Sequence, residues 1–152
     1  MDIVKAVPSD AEMVRQISHD TINAVYPHYY PKGAVDFFLA HHCTEHILRD
    51  IGAGEVWLIL DGGEAVGTVT VNGNEINRLF VLPQHQGKGF GRALMQFAED
   101  KVFGSYDKAE LSASLPAKAM YMKNGYSFSE YHIIDCDSGD KLCYDYMFKC
   151  RF

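Results

Sequence analysis

The chain has 152 residues, with 47% hydrophobic and 22% charged residues and a formal net charge of -6. That length suits one domain with a sizeable core, and the composition is that of an ordinary globular protein. The acidic balance argues against general nucleic-acid binding, which needs a basic face to neutralise phosphates, and mildly favours a cationic substrate by steering.

Met1-Asp2-Ile3-Val4-Lys5 has neither a basic n-region nor a long apolar run, so it does not read as a signal peptide. Val56 to Leu60, the longest uncharged apolar run, is far too short to span a membrane. Cys43, Cys136, Cys143 and Cys150 show no Cys-x-x-Cys spacing, and we expect four reduced thiols, buried as small hydrophobes, in a cytoplasmic protein. A Cys136–Cys143 disulfide is conceivable, but nothing in the sequence asks for it.

In chain order, Ile3 to Val7 alternates as a short strand, and Pro8-Ser9-Asp10 opens a helix with Ser9 or Asp10 as N-cap. Val14, Ile17, Ile22 and Val25 mark its buried side, and Tyr26-Pro27 ends it. A segment dense in tyrosine and proline follows. The pattern then predicts helices over Ala34 to His42 and, with Thr44 as N-cap, to about Ile51. Glu55 to Leu60, Glu64 to Val71 and Glu75 to Leu82 read as a meander, because Asp61-Gly62-Gly63 and Asn72-Gly73-Asn74 are strong hairpin turns. A helix spans about Lys88 to Phe103 with Gly104 as its C′ residue, and Lys108 to Ser114 is a strand. Pro116 opens a short helix to Lys123 closed by Asn124-Gly125, and Tyr126 to Cys136 and Lys141 to Lys149 form a last hairpin. One α+β domain over residues 1–152 accounts for all of it.

The stretch richest in chemistry runs from Arg78 to Met95. Leu79 to Leu82 is a β-prone run stopped by Pro83, and three alternate glycines, Gly87, Gly89 and Gly91, lead into the helix. A helix N-terminus offers unpartnered N–H groups and a partial positive charge. Glycines let phosphate oxygens approach those amides, and Lys88 and Arg92 add positive charge beside them. The plain alternative, a turn without function, fits three glycines in five residues poorly. A P-loop would need Lys-Ser/Thr after Gly91, where Arg92-Ala93 stand. A dinucleotide fingerprint has a different glycine order, and Asp107 lies badly for its ribose-binding acid.

Gln86-Gly87-Lys88-Gly89-Phe90-Gly91 does fit Gln/Arg-x-x-Gly-x-Gly/Ala. It resembles the acetyl-CoA pyrophosphate loop of the GCN5-related N-acetyltransferase (GNAT) family. Leu79-Phe80-Val81 and Tyr121-Met122-Lys123-Asn124-Gly125-Tyr126 are similar to that family too, in its order and spacing, from about Glu75 to Tyr126. The resemblance implies a mixed sheet of six or seven strands flanked by four or five helices, with the strand before the loop splayed from the next to admit the cofactor. It implies acetyl transfer from acetyl-CoA to a primary amine by direct attack in a ternary complex.

By the same resemblance, Gln86, Gly87, Lys88, Gly89, Phe90, Gly91 and Arg92 hold the pyrophosphate. Leu79, Phe80 and Val81 pair with the pantetheine, and a backbone N–H of Val81 or Phe80 polarises the thioester; their plain alternative is core packing. Ser114 and Asn124 are further cofactor contacts, although many relatives have asparagine near Ser114. Tyr121 matches the general acid, since a phenol stays protonated at neutral pH and can hand its proton to a leaving thiolate. Its alternative is an aromatic packed in the core. Glu75, eleven residues before Gln86, matches a glutamate that deprotonates the amine in some members, often through water, and otherwise is a solvated turn residue.

His41, His42, Cys43 and His46 form a cluster in which His42 and His46 stand at i, i+4. A helix break at Cys43-Thr44 would spoil a zinc site, so packing or pocket lining is the expected role and no metal is implied. Tyr26, Tyr29, Tyr30, Phe37 and Phe38 are core by base rate, but in the family this region covers the acceptor site. A small-molecule or peptide amine is the expected partner, with no nucleic acid and no membrane; a homodimer stays open. The competing readings are an NAD- or nucleotide-binding protein and a non-catalytic acyl-CoA-binding module on the same fold.

Overall fold

The computed structural model describes residues Met1–Phe152. Seven strands form one sheet: β1 (Asp2–Lys5), β2 (Val56–Asp61), β3 (Glu64–Asn72), β4 (Glu75–Val81), β5 (Lys108–Ala113), β6 (Ser127–Asp135) and β7 (Lys141–Cys150). Five α-helices accompany them: α1 (Ala11–Val25), α2 (Lys32–His41), α3 (Thr44–Gly52), α4 (Phe90–Phe103) and α5 (Lys118–Lys123). The strand order is β1-β2-β3-β4-β5-β7-β6, antiparallel everywhere except between β4 and β5. This is the mixed sheet that the family resemblance implies, and every strand and helix expected from the sequence pattern is present.

Side chains on a strand alternate between faces, so one strand serves two cores. Leu58 and Phe80 enter a core with Val14, Ile17 and Ile22 of α1 and Ile47 of α3. Their neighbours Ile59 and Val81 enter the opposite core with Leu94, Met95 and Ala98 of α4. Helices α1 to α3 therefore cover one face and α4 the other. At Gly67 the second layer comes unusually close: an added Cβ would lie 2.9 Å from the Phe80 carbonyl oxygen and 3.1 Å from a Leu94 methyl.

Several boundaries differ from the sequence reading, each for a local reason. Helix α4 starts at Phe90 and not Lys88, because Gly87 (φ 76) and Gly89 (φ 92) hold left-handed conformations that cannot belong to the helix. Gly104 sits at the C-cap in the right-handed region, so it is not a left-handed C′ residue. Thr44 is the first residue of α3, and Cys43 is its N-cap. Leu115, Pro116 and Ala117 form a turn, and α5 begins only at Lys118. Helix α1 is preceded by a 3-10 turn, Pro8–Asp10, in which the Asp10 carboxylate accepts the Val7 N–H at 2.8 Å. All four cysteines are free thiols, but only Cys136 is buried as expected; Cys43 and Cys143 are half-buried, and Cys150, the last residue of β7, is exposed.

The short helix α5 ends as the sequence predicts and in a way that shapes the site. Gly125 takes φ 91, the Tyr126 N–H bonds the Tyr121 carbonyl (3.0 Å), and the Gly125 N–H bonds that of Met122 (3.2 Å). This is a Schellman motif. Its accompanying apolar contact is the Tyr121–Tyr126 ring pair, with centroids 5.6 Å apart.

Two irregularities open the sheet in the middle. Strands β4 and β5 are in register only at Glu75–Glu110, and the Glu110 N–H bonds the Asn74 carbonyl at 2.9 Å. Beyond that end they diverge, as a splayed pair. On its other side β4 pairs with β3 as Thr70–Asn77 and Thr68–Phe80, so Arg78 and Leu79 face the single residue Val69. Arg78 is the bulged residue, with φ 47, the one non-glycine of positive φ in the chain.

Candidate functional site

Two cavities occupy the cleft between β4 and β5, and they meet. One, of about 400 Å³, is lined by Gln86, Gly87, Gly89, Gly91 and Arg92 of the glycine loop and by Leu79, Phe80 and Val81 of β4. The other, of about 450 Å³, lies under α2 and α3. Tyr26, Leu79, Phe80, Ser114 and Ala117 line both and so form their junction.

The free hydrogen-bond donors of the first cavity come largely from backbone. The Ala93 N–H already bonds the Gly89 carbonyl, which leaves the N–H groups of Phe90, Gly91 and Arg92 as the free donors of the first helical turn. The Gln86 amide donates to the Val81 carbonyl at 2.9 Å and ties the loop back to β4. Thr21 of α1 reaches the same carbonyl at 3.3 Å. The Leu82 N–H points to β3, where it bonds the Val66 carbonyl. By strand alternation the Val81 N–H and carbonyl point the other way, into the cleft. Of the two candidate donors, Val81 has the cleft-facing N–H.

Not every residue of the motif reaches this cavity. Lys88 is exposed at the loop tip, and the Phe90 side chain is buried in the α4 core, edge-on to His85. Asn124 lines neither cavity; its amide donates to the Met120 carbonyl at 2.7 Å and closes α5. Ser114 stands at the junction and accepts a hydrogen bond from the Tyr26 hydroxyl at 3.2 Å.

Tyr121 lines the second cavity and is buried. Burial pushes its phenol well above the ordinary tyrosine value, and the adjacent Tyr26 adds to that shift. It is therefore a proton donor throughout the neutral range. Glu75 lines the same cavity at its far end, four residues along β4 from Leu79, which is roughly 13 Å of strand. Burial is the main cause that raises its carboxyl; a bond from Asn77 opposes this and Glu110 reinforces it.

The tyrosine-rich segment divides by role. Tyr26, Phe37 and Phe38 line the second cavity, while Tyr29 is exposed. Tyr30 is a clamp: its hydroxyl donates to the Cys143 carbonyl (2.9 Å) and accepts the Leu115 N–H (2.7 Å). It thus fixes the β5–α5 connection that carries Ser114 against β7. The histidines go separate ways, His46 to the His41 carbonyl (2.9 Å) and His42 to Arg78.

Arg78, Asp50 and Thr70 line this cavity and were not singled out in the sequence. The one available signal was a lone cation inside the apolar run Ile76 to Val81, since buried arginine demands a partner. Its partners come from 8 to 36 residues away, a distance no local pattern spans.

The domain model described as "Acetyltransferase (GNAT) domain" matches residues 52–128, just over half of the chain. No curated protein sequence matches. Among solved structures, a GCN5-related N-acetyltransferase from Rhodopseudomonas palustris superposes with a TM-score of 0.90 at 19% identity, covering 98% of this chain and 94% of its own. The PaiA N-acetyltransferase of Thermoplasma acidophilum, in complex with coenzyme A, gives 0.73 at 18% identity over 98% of each chain. YncA of Salmonella typhimurium, a putative acetyltransferase with its cofactor acetyl-CoA, gives 0.68 at 17% identity, covering 99% and 93%. At these identities the shared property is the fold.

Proposed function

This chain belongs to the GNAT acetyltransferase family, and on that premise we propose that it moves acetyl from acetyl-CoA to a primary amine by direct attack in a ternary complex. The observation that carries the reading is the junction of the two cavities at Tyr26, Leu79, Phe80, Ser114 and Ala117. Two separately lined chambers sharing one wall let a thioester and an amine meet without exchanging places.

The residues fit acetyl-CoA. The free N–H groups at the start of α4, with left-handed Gly87 and Gly89 exposing the backbone and Arg92 beside them, suit a pyrophosphate. The open edge of β4 suits the amides of a pantetheine arm as an added strand. Bound there, acetyl-CoA supplies a thioester carbonyl open to attack. The Val81 N–H faces that carbonyl's place and stabilises negative charge developing on its oxygen. Tyr121, protonated and facing the acceptor chamber, donates a proton to the departing sulfur. Glu75, at the far end, takes the amine's proton through water, not by direct contact. Ser114, held by Tyr26, shapes the junction.

Thermal unfolding with acetyl-CoA, NAD(H) and ATP added separately tests the cofactor. At one hundred times its dissociation constant a ligand stabilises the native state by about 2.7 kcal/mol, a rise of several degrees at this size. A rise with acetyl-CoA alone is expected; a rise with NAD(H) instead overturns the reading. Tyr121→Phe then separates a transferase from a passive acyl-CoA binder, because only a transferase loses turnover while keeping the acetyl-CoA shift.

A further inference from the structure

One wall of the acceptor cavity presents hydrogen-bond donors. Arg78, buried in the β4 bulge, donates from Nε to His42 Nδ1 (3.1 Å), from Nη1 to Thr70 Oγ1 (2.9 Å) and from Nη2 to Asp50 Oδ2 (3.0 Å). A guanidinium has no acceptor atom, so the Nδ1 of His42 carries no proton. Burial first, and the Arg78 charge second, keep the His42 imidazole neutral far below its ordinary pKa. Its single proton therefore sits on Nε2. That nitrogen has no hydrogen-bond partner in the chain and is not sealed from the cavity, although His42 as a whole is 8% exposed. Two of the five guanidinium N–H groups of Arg78 also remain beyond the three engaged.

The cavity is lined by two arginines, Arg49 and Arg78, and three carboxyl groups, Asp50, Glu55 and, at the far end, Glu75. Asp50 is the carboxylate in contact with Arg78, and it also faces Arg49 at 3.4 Å. Glu55 lies at the rim, where burial and Asp50 raise its carboxyl despite both arginines, so it is not their ion-pair partner. A purely structural role explains the arrangement poorly. A buried ion pair is commonly no better than apolar packing of the same volume, and the left-handed backbone at Arg78 is itself unfavourable.

Resting on the acetyl-transfer reading above, we propose that the Arg78–His42 wall binds a carboxylate of the acceptor, so that the amine acetylated belongs to an amino acid. What fits beside two guanidinium N–H groups and an imidazole N–H is a group of acceptor oxygens. The His42 ring lies edge-on to Phe80 with centroids 5.3 Å apart, and Phe80 is part of the junction. The carboxylate site is thus one side chain from the place of reaction, which limits amine and carboxylate to a separation of a few bonds.

The test is coenzyme A release with the twenty L-amino acids, each paired with its decarboxylated amine, and with putrescine and spermidine. The wild type, Arg78→Lys, Arg78→Met and His42→Phe are compared, and folding and the acetyl-CoA melting shift are checked for each. A preference of about a hundredfold in kcat/KM for an amino acid over its matched amine is expected in the wild type. Arg78→Met reduces that preference to about threefold or less, mainly through KM, and His42→Phe reduces it by about tenfold. Arg78→Lys restores only part, because an ammonium lacks the fork. If Arg78→Met does not fold, His42→Phe decides. Amines or polyamines turned over as well as amino acids, a preference that survives both variants, or an acetyl-CoA shift with no amino acid turned over each overturn the proposal. Absence of the acetyl-CoA shift itself removes the acetyl-transfer reading first, and this inference with it.

Discussion

The two chambers of the cleft are made in opposite ways. The cofactor chamber takes most of its donors from one short stretch, Val81 to Arg92, and mostly from backbone. The chamber read as the acceptor's takes side chains from α2, α3, β3, β4, β5, α5, β6 and β7. A backbone cradle at a helix start depends on φ angles, so glycine encodes it and most other residues there are free to vary. A side-chain chamber depends on tertiary placement, and its chemistry is set by which residues happen to converge. On the proposed reading, the first chamber takes acetyl-CoA and the second sets which amine is accepted.

The largest expected effect falls in the acceptor chamber, beside its junction with the other. Tyr121→Phe should lower kcat by about a hundredfold or more while leaving the acetyl-CoA dissociation constant unchanged, measured by steady-state kinetics beside calorimetric titration. Its melting temperature should hardly move, because the phenol makes no hydrogen bond within the chain. Comparable loss of cofactor binding would mean that the ring supports the wall and does not act as an acid.

Next comes a break confined to the cofactor chamber. Gly89→Val puts a β-branched side chain at φ 92, which costs about 1–2 kcal/mol locally and fills the space beside the first helical turn. Acetyl-CoA affinity should fall by about tenfold, and the acceptor preference of the remaining activity should be unchanged. A shift in acceptor preference would show that the two chambers are not separable.

Gly67→Ala acts on the scaffold beneath both. The added Cβ meets the Phe80 carbonyl, which cannot give way as a flexible side chain would. A loss of about 1–3 kcal/mol in denaturant unfolding is expected. Gly125→Ala should cost about 1–2 kcal/mol at φ 91 and, by loosening the Schellman turn, should also lower kcat through Tyr121.

The smallest effect is a pH dependence of stability that belongs to the acceptor chamber alone. His42 and His41 have pKa values below the ordinary histidine value, mainly by burial. Below about pH 6.5 the unfolded chain therefore binds protons that the folded chain does not, and stability falls as pH falls through that range. Replacing His42 with phenylalanine should flatten part of the acid limb of a melting-temperature profile. An unchanged slope would mean that His42 is more accessible to protonation than its neighbours allow.

The sequence by itself determined the seven strands and five helices, the glycine loop at a helix start, the turn that closes α5 on Tyr126, and the family resemblance that the domain match bears out. These are local matters: periodicity, turn chemistry and glycine conformations act within a few residues, and a motif of that reach can be read directly. The tertiary structure decided the rest. It chose Val81 over Phe80 as the strand residue whose N–H faces the cleft, sent Asn124 to cap a helix, and made Tyr30 a clamp while Tyr26 became a wall. It also brought His42, Asp50, Thr70 and Arg78 together across separations of 8 to 36 residues, around a bulge that appears only when β3 and β4 are paired. Strand register and helix packing fix such meetings cooperatively, through the whole sheet, and no residue carries them in its near neighbours.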